Sequence, residues 1–558
     1  MYQMVRINEF YRTHNEAQHR DTPSQTDLTT MNLANPLAFA CALAPIGCMT
    51  IAALSALVGA RSPTAQWKRF ALLAQLGLVA AISAVAMEFL SPLAVPLQLS
   101  RWITVEPLGA CVALLVQLLA TVIGLFSSRY LVGEHGQQRY IVALATVVAS
   151  VHLLLLANHW LVMIVSWSLA GSALRRLLCF YRDRPFAMLA AHKKRVADAL
   201  ADVLLLGAAA LAWSTVGSGS FSDLWLYVAR DGMTLPLQIC ASCLALAAIL
   251  RTALLPMHGW LIQVMEAPTP VSALLHAGVV NLGGYVLIRF APLLSHAPAA
   301  GWLLVALGLG TTLLAGLVLL TRTSIKVRLA WSTVAQMGFM LLECGLGLYM
   351  MAAFHLVGHS LYKATAFLSA SEIVRESKLK TMRGHAAFSR TSLTVAPALS
   401  ASSIAAVHFF VGSIPWPWWW SGVLALAWAP LFWQPAPERA GATPALTRAI
   451  VGWSIAACLT AITTIGHAVP LRVLDAPNDI AGDVALAGLA LLYLSLVALQ
   501  VCPEKLASWR RWSYAGFYID EFATRLALHV GPTWWPSSSR EASRRNATNR
   551  TMVAVAAE

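Results

Sequence analysis

The sequence predicts an all-α polytopic membrane protein with about 14–16 transmembrane helices, some of them discontinuous. Of its 558 residues, 58% are hydrophobic and only 11% are charged, a composition that ordinary water-soluble domains do not have. Several apolar runs reach the roughly 20 residues that a helix needs to cross a hydrocarbon core of about 30 Å. Because that core offers no water to backbone polar groups, a bundle of spanning helices is the expected architecture.

Fifteen apolar segments follow one another along the chain. They cover residues 35–59, 70–93, 104–126, 139–157, 159–180, 196–216, 236–256, 270–294, 301–321, 325–345, 348–372, 392–413, 417–434, 448–468 and 483–502. A polar amino-terminal tail, 1–34, precedes them, and an amphipathic and then polar segment, 506–558, follows them. The bundle itself therefore extends over residues 35–505.

Basic residues are concentrated in alternate loops. One set of loops holds Arg61, Lys68, Arg69, Arg129, Arg139, Arg175, Arg176, Arg182, Arg184, Lys193, Lys194, Arg195, Arg322, Lys326, Arg328, Arg375, Lys378, Lys380, Arg383, Arg390, Arg439 and Arg448. The opposite set holds little beyond Arg101, Arg230 and Arg472. The positive-inside rule then predicts an outer amino terminus and an inner carboxyl terminus. Membrane topology, and not a nucleic-acid partner, explains the net charge of +14.

The stretch 250–289 combines charged residues with helix-breaking prolines. Arg251 lies within the apolar segment 236–256, Pro256 breaks the helix there, and Glu266 and His276 flank two further prolines. Proline removes a backbone donor, and at membrane depth an interrupted helix is tolerated only inside protein or beside water. An interrupted helix flanked by Arg, Glu and His predicts an ion-transfer site.

A second group of ionisable residues lies in the segment FHLVGHSLYKATAF. His355, His359 and Lys363 follow at four-residue steps, which keep them on one helical face about 6 Å apart in rise. Imidazole titrates near neutrality and both accepts and donates protons, so the group predicts a proton relay. Two alternatives remain open: buried structural hydrogen bonding, and zinc or haem binding, although no third ligand is evident and the Glu of zinc proteases is missing.

Further ionisable residues fall within or at the edges of the apolar segments. They are Glu88, Glu106, Asp198, Asp202, Lys326 and Glu343. Lys326 and Asp198 lie near predicted inner ends, where extension of the side chain to the interface is the alternative to a transport role. Glu343 lies near the predicted outer end of its segment, a position suited to a proton exit. No nucleotide-binding motif is present, so we expect an ion gradient to supply the energy of transport.

Three motifs resemble the antiporter-like membrane subunits of respiratory complex I and of multisubunit Na+/H+ antiporters. They are MEAPTPVSALLHAGVV, TSIKVRLAWSTVAQMGFM and FHLVGHSLYKATAFL, within a core of about 100–380. The resemblance implies an antiporter-like fold in which discontinuous helices and a central row of charged residues move protons. Arg251 stands where a central lysine is usual in this family. The family's other translocation residues correspond to His276, Lys326, His355, His359 and Lys363.

The chain departs from the family pattern at two places. The sequence SWSLAGS puts Ser168 where a glutamate is usual, and the segment 392–413 lacks the lysine that complex I subunits keep. These departures argue against ordinary antiport and complex I coupling. A subunit of a multisubunit cation/proton antiporter or of complex I is therefore the alternative and not the first interpretation.

Within the superfamily the chain is similar to the membrane subunits of bacterial inorganic-carbon accumulation complexes. The similarity lies in ALRRLLCFYRDRPFAMLAAHKKR, LLHAGVVNLGGYVLIRFAPLL and YAGFYIDEFATRLALHVGPTWWP. It implies a multi-pass bacterial inner-membrane subunit that conducts protons or sodium ions and works with a large cytoplasmic zinc subunit, DabA-like, which hydrates CO2. We expect no catalytic residues, metal ligands or cofactor in this chain, since the zinc belongs to the partner. Contacts with membrane lipid are expected, and contacts with nucleic acid are not.

Overall fold

The computed structural model describes residues 25–58, 62–90, 97–370, 388–412, 414–435, 445–502 and 504–530. These residues are helical apart from their connections and one short antiparallel hairpin, β1 (Leu97–Ser100) with β2 (Ile103–Val105). Eleven helices in the described ranges are long and apolar enough to cross a membrane. The predicted all-α polytopic membrane fold is therefore confirmed.

The helices follow the order of the predicted apolar segments. The first are α1 (Gln25–Val58), α2 (Pro63–Leu90), α3 (Pro107–Tyr130), α4 (Gln137–Leu155), α5 (Trp160–Leu178), α6 (Pro185–Val216), α7 (Phe221–Asp231) and α8 (Leu235–Arg251). The central ones are α9 (Gly259–Gln263), α10 (Thr269–Ala277), α11 (Leu282–Arg289), α12 (Ala291–Leu294), α13 (Pro298–Leu319), α14 (Ile325–Gly345) and α15 (Tyr349–Leu368). The last are α16 (Arg390–Val411), α17 (Trp418–Trp428), α18 (Ala445–Gly466), α19 (Asp479–Val501), α20 (Ala507–Tyr514) and α21 (Ile519–His529).

Four predicted spans correspond to helices that are shorter or more polar than the eleven others: α8, α14, α15 and α17. α8 ends at Arg251, five residues before the proline expected to break it. Several predictions concern residues outside the described ranges: positions 1–24 and 531–558 of the two tails, and the loop residues Arg61, Arg375, Lys378, Lys380, Arg383 and Arg439.

The two ends of the bundle differ in their loops. At one end, called the hairpin end, the β-hairpin joins the α4–α5 loop through an Ile103–Ala157 bridge. Asn478 at the start of α19 donates its backbone N–H to the Leu346 carbonyl between α14 and α15 at this same end. At the other end, called the tail end, lie the loops 131–136, 179–184 and 320–324 together with α20 and α21.

The centre of the bundle is a discontinuous helix. In the α10–α11 span, 89% of the residues in the most apolar 18-residue stretch are buried, whereas the share is 17% in α18 and in α19. The α-helix stops at Ala277 and resumes at Leu282 after a 3-10 turn, so a discontinuous helix is present, but this break lies beyond the position predicted at Pro256. The Asn281 side-chain amide donates to the Ala277 carbonyl at 2.9 Å, so the interruption leaves that buried acceptor satisfied.

Glycines let α13 and α14 pack backbone against backbone. A Cβ on Gly308 would lie 2.7 Å from the Leu342 amide nitrogen and 2.8 Å from the Gly338 carbonyl oxygen. A Cβ on Gly345 would lie 2.8 Å from the Val305 amide nitrogen. We call this contact the glycine seam, and it leaves no space for larger residues at these positions.

The carboxyl-terminal helices lie against the tail end of the bundle. Asp520 forms an ion pair with the buried Lys193 at 2.8 Å, and the Ser513 hydroxyl donates to the Leu317 carbonyl at 2.9 Å. The outward face exposes large aromatic side chains, those of Trp509, Trp512, Tyr514, Tyr518 and Phe522. Such a face suits the membrane interface, where amphipathic aromatic rings are enriched.

Candidate ion-translocation site

α15 carries a row of ionisable side chains through the bundle. The His355 and His359 rings have their centroids 6.0 Å apart, and Lys363 follows one turn later. Lys363 is fully buried and His359 is 6% exposed. Helical spacing alone puts these three side chains on one face, and packing of the neighbouring helices buries that face.

The Lys363 ammonium has only neutral partners. It donates to the Leu329 carbonyl at 3.0 Å and to the Ser332 hydroxyl at 2.8 Å, both on α14. No carboxylate in the described part of the chain forms an ion pair with it. A buried cation without a counter-ion is costly to keep, so lysines at such positions usually have a transport or proton-transfer role.

His276 lies beside this row, on α10. Its ring stacks on Phe367 with centroids 4.5 Å apart and planes inclined by 13°. Neither ring nitrogen finds a hydrogen-bond partner among the described residues, although the side chain is completely buried. Lys363 and His359 are near enough to His276 to interact with it electrostatically. A buried imidazole with both nitrogens unpaired is unusual, and both nitrogens remain available to a hydrogen-bonding or proton-transfer partner.

The break between α10 and α11 connects to the row through an amide. The Asn281 side-chain oxygen accepts a hydrogen bond from Nδ1 of His359 at 3.1 Å, and the Asn281 side-chain nitrogen donates to the Ser360 hydroxyl at 2.7 Å. The His359 Nε2 atom is left without a partner in the described part of the chain. The interrupted helix thus orients one imidazole nitrogen and leaves the other available.

Glu343 extends the row toward the hairpin end. Its Oε2 atom lies 2.8 Å from Nδ1 of His355, and its side chain is 4% exposed. The last turn of α14 therefore supplies a carboxylate directly to the α15 row. Glu343, predicted as an accessory residue, is part of the same polar chain as His355, His359 and Lys363.

Two of the predicted residues lie at the tail end, away from this chain. Lys326 donates to the Thr269 hydroxyl at 2.9 Å, at the first residue of α10. Glu266 lies in a 3-10 turn, is about two-fifths exposed and faces Arg184 at 3.6 Å. The described contacts of Glu266 include neither Arg251 nor His276, so the three residues do not form one contact group.

A second polar cluster lies between α5, α6 and α8. Arg251 forms an ion pair with Asp202, and the Ser168 hydroxyl donates to the same carboxylate at 2.5 Å. The Arg251 guanidinium also lies over the Trp167 ring, 4.7 Å from its centroid. Ser168 stands where a glutamate is usual in the family that the motifs resemble. Here Asp202, on the neighbouring helix α6, supplies the carboxylate beside Arg251.

Asp198 lies one turn of α6 from this pair. It binds Lys194 at 2.8 Å and Arg175 at 3.1 Å, and both Asp198 and Lys194 are buried. No hydrogen bond or ion pair among the described residues joins this cluster to Lys363. The cluster reaches the tail end through Arg175, so the two polar groups follow different parts of the bundle.

Sequence reasoning gave Asp202 no role, and it did not single out Arg289. Arg289 is buried, binds Glu106 at 3.1 Å and donates to the Leu155 carbonyl at 3.0 Å. The signal that identifies Asp202 is its four-residue spacing from Asp198, which puts both carboxylates on one face of α6. For Arg289 the signal is an intramembrane cation close to the predicted outer end of its span.

A family profile described as "NADH:quinone oxidoreductase/Mrp antiporter, TM" matches residues 157–415. The match includes both polar clusters and the broken helix. A solved structure of the Mrp complex from Dietzia sp. DQ12-45-1b contains a similar chain, with a TM-score of 0.54 and 20% identity, which covers 93% of this chain and 60% of that one. At this identity the likeness concerns the fold, and it confirms the antiporter-like architecture.

Two relatives are similar over most of their length. The probable inorganic carbon transporter subunit DabB of Hydrogenovibrio crunogenus is 39% identical over 446 residues, which are 78% of this chain and 85% of the relative. The probable subunit DabB2 of Halothiobacillus neapolitanus is 36% identical over 464 residues, which are 80% of this chain and 82% of the relative.

Proposed function

Because the chain belongs to the DabB family of inorganic carbon transporter subunits, as its motifs predicted, we propose that it conducts protons or sodium ions for such a transporter. Its relatives bear the name of a subunit, so the working unit is a complex. In this proposal the ion follows the α15 row, and the Arg251–Asp202 and Asp198–Lys194 pairs carry charge on the other side of the bundle.

The observation that carries the proposal is the Lys363 environment. This ammonium is fully buried and donates to a carbonyl and a hydroxyl, and His359 and His276 lie beside it with unpaired nitrogens. A purely structural lysine would gain from a carboxylate partner or from reaching the interface. Because its hydrogen-bond partners are neutral, the Lys363 amine can instead gain and lose a proton as an ion passes.

We propose a bacterial inner-membrane location with the tail end in the cytoplasm. The basic loops of the tail end satisfy the positive-inside rule in this orientation. The amino terminus and the hairpin end then lie on the periplasmic side. The exposed aromatic face of α20 and α21 would lie in the cytoplasmic membrane interface.

The partner in this proposal is a large cytoplasmic zinc subunit of the DabA type. That subunit would hydrate CO2 to bicarbonate, and this chain would deliver the energy of the ion gradient that makes hydration effectively one-way. One charge crossing 100 mV supplies about 2.3 kcal/mol, enough to bias the equilibrium by a factor of several tens. Taken alone, this chain should have no carbonic anhydrase activity.

A lysine substitution tests ion conduction. Lys363→Ala should abolish growth rescue under limiting inorganic carbon and slow ion uptake into proteoliposomes by about tenfold or more. Lys68→Ala, at an exposed lysine of α2, is the matched control and should stay within about twofold of the wild type. Unchanged rescue by Lys363→Ala, with normal membrane insertion, would contradict the proposal.

Purification with native partners tests the assignment to a carbon transporter. We expect a large zinc protein to co-purify, and metal analysis of the complex should find zinc. Recovery of a set of small antiporter subunits, or of quinone-site subunits, would favour the alternative of a cation/proton antiporter or complex I. Uptake measured with a proton gradient and then with a sodium gradient identifies the coupling ion.

A further inference from the structure

We propose that the loop 467–478, between α18 and α19, forms the outer mouth of the ion path, with His467 and Asp475 passing protons to the Glu343–His355 pair. This inference rests on the proposed function and on the proposed orientation. It adds a site that the sequence motifs do not contain, since the loop begins at His467, far beyond the end of α15 at Leu368.

The loop is fixed to the turn between α14 and α15. The Ala476 amide donates to the Gly347 carbonyl at 2.9 Å, and the Asn478 amide donates to the Leu346 carbonyl at 3.0 Å. Gly347 has a φ of +77°, and a Cβ at this position would collide with the Ala476 carbonyl. The loop therefore holds one position relative to the residues that carry Glu343 and His355.

Asp475 lies where α15 begins. Its Oδ1 atom accepts a hydrogen bond from the Met350 amide at 2.8 Å, and its Oδ2 atom lies 3.7 Å from Nε2 of His467. Glu343 ends the preceding helix, and only Leu346–Leu348 separate α14 from α15. The two carboxylates are consequently close enough to repel each other. Two negative charges at one place attract cations to it.

Asp475 is the most exposed of the four side chains and Glu343 is the least exposed. The exposed fractions are 17% for Asp475, 10% for His467, 12% for His355 and 4% for Glu343. The His467 ring is held between Phe354 and Trp416, with centroids 5.4 Å and 5.7 Å away. The Asp475 carboxylate is thus the most accessible group, and the Glu343 carboxylate is shielded, so a proton that enters at Asp475 moves toward a more buried acceptor.

Each proton step conserves charge and atoms. A proton from outer water binds the His467–Asp475 pair and passes to the Glu343 carboxylate. The Glu343 acid then protonates Nδ1 of His355, and His355 releases the proton on its unpaired Nε2 toward His359. The reverse tautomer change returns His355 to its first state, so no other reactant is consumed.

A structural alternative is that Asp475 and His467 only fasten the loop. Asp475→Asn separates the two roles, because an amide oxygen still accepts the Met350 hydrogen bond but the side chain no longer carries a proton. His467→Gln is a second variant that does not depend on the first one folding. Asp479→Asn is the matched control, since Asp479 lies just beyond the loop and accepts a hydrogen bond from the Trp419 indole at 2.9 Å.

The test uses the complete complex in proteoliposomes, with proton uptake followed by a pH-sensitive dye under an imposed potential. Asp475→Asn and His467→Gln should each slow uptake by about fivefold or more, and Asp479→Asn should stay within about twofold. Wild-type rates in both loop variants would overturn the outer mouth while leaving the proposed function intact. Absence of uptake in the wild type would overturn the proposed function itself.

The side of the membrane from which position 475 can be labelled supplies a second readout. Asp475→Cys, in a chain whose exposed Cys458 and Cys502 are replaced by serine, should react with a membrane-impermeant thiol reagent added outside. Reaction from the outside supports the mouth. Reaction only from the inside overturns it.

Discussion

The Arg251 guanidinium on α8 is paired with the Asp202 carboxylate on α6, and the Ser168 hydroxyl on α5 binds the same oxygen. Three helices thus meet at one charge pair. Arg251 is almost completely buried in this contact, whereas about a third of the Asp202 side chain remains accessible. A buried guanidinium depends on a counter-charge, so Asp202 holds the positive charge of Arg251 inside the bundle.

Asp202→Asn should destabilise the protein and slow ion uptake. Removing one partner of a buried pair costs about 3–5 kcal/mol, and partial exposure of Asp202 reduces our expectation to roughly 2 kcal/mol. The exchange variant, Ser168→Asp with Asp202→Ser, supplies the carboxylate from α5 instead of α6. It should restore most of the lost stability and ion uptake. Thermal unfolding in detergent and proteoliposome uptake measure both effects. Asp223→Asn, at a carboxylate bound to Ser218, is the control, and equal losses in the single and exchange variants would contradict the pairing.

His276→Phe should separate conduction from stability. Phenylalanine keeps the stack on Phe367 and removes two nitrogens without partners in the described residues, so the free energy of unfolding should fall by less than about 1 kcal/mol or even rise. Ion uptake should nevertheless drop.

The comparison variant is His152→Phe. Nε2 of His152 donates a hydrogen bond to the Gln117 side-chain oxygen at 2.9 Å, so the substitution leaves a buried acceptor unpaired and should cost about 1–3 kcal/mol. If His276→Phe were the more destabilising of the two, His276 would have a structural role that the described contacts do not contain.

Asp520→Asn should loosen the carboxyl-terminal helices. The Lys193 ammonium, 4% exposed, would lose its counter-charge and the contact that holds α21 against α6. Limited proteolysis should cut within residues 504–530 several times faster than in the wild type. Glu504→Gln, at an exposed carboxylate at the start of the same segment, should leave the cleavage rate unchanged. Equal rates in the two variants would show that the ion pair does not anchor the segment.

Gly347→Ala should disturb the loop 467–478. Gly347 and Gly412 both have positive φ, +77° and +85°, so alanine at either position costs about 1–2 kcal/mol of backbone strain. Only at Gly347 does a Cβ also collide with the Ala476 carbonyl, whereas Gly412 faces open space. Gly347→Ala should therefore lower the melting temperature further than Gly412→Ala and also slow uptake. Equal effects would mean that the loop accommodates the methyl group without moving.

The sequence predicts the spans well because each is encoded locally by about 20 consecutive apolar residues. The row on α15 is predictable for a similar reason, since four-residue spacing fixes His355, His359 and Lys363 on one face whatever packs against it. The hydrogen-bond partners of these side chains are not predictable in this way. Ser332 and Asn281 come from α14 and from the helix break, and nothing in the α15 sequence specifies them.

The parts that sequence reasoning misplaced or left unassigned depend on contacts between distant segments. Glu266 follows Arg251 closely in the chain, but the turn after α9 directs it to Arg184 at the tail end. Asp202 becomes the partner of Arg251 only because α5, α6 and α8 meet. His467 and Asp475 approach α15 through a loop whose position depends on backbone hydrogen bonds to Gly347 and Leu346.

The glycine seam ties one wall of the ion path to its neighbouring helix. α14 supplies Lys326, Ser332 and Glu343 from a helix whose backbone touches that of α13, so a shift between these two helices would have to break their closest contacts. We therefore expect α13 and α14 to move together as one unit. A disulfide that joins them away from the glycines should leave ion uptake unchanged.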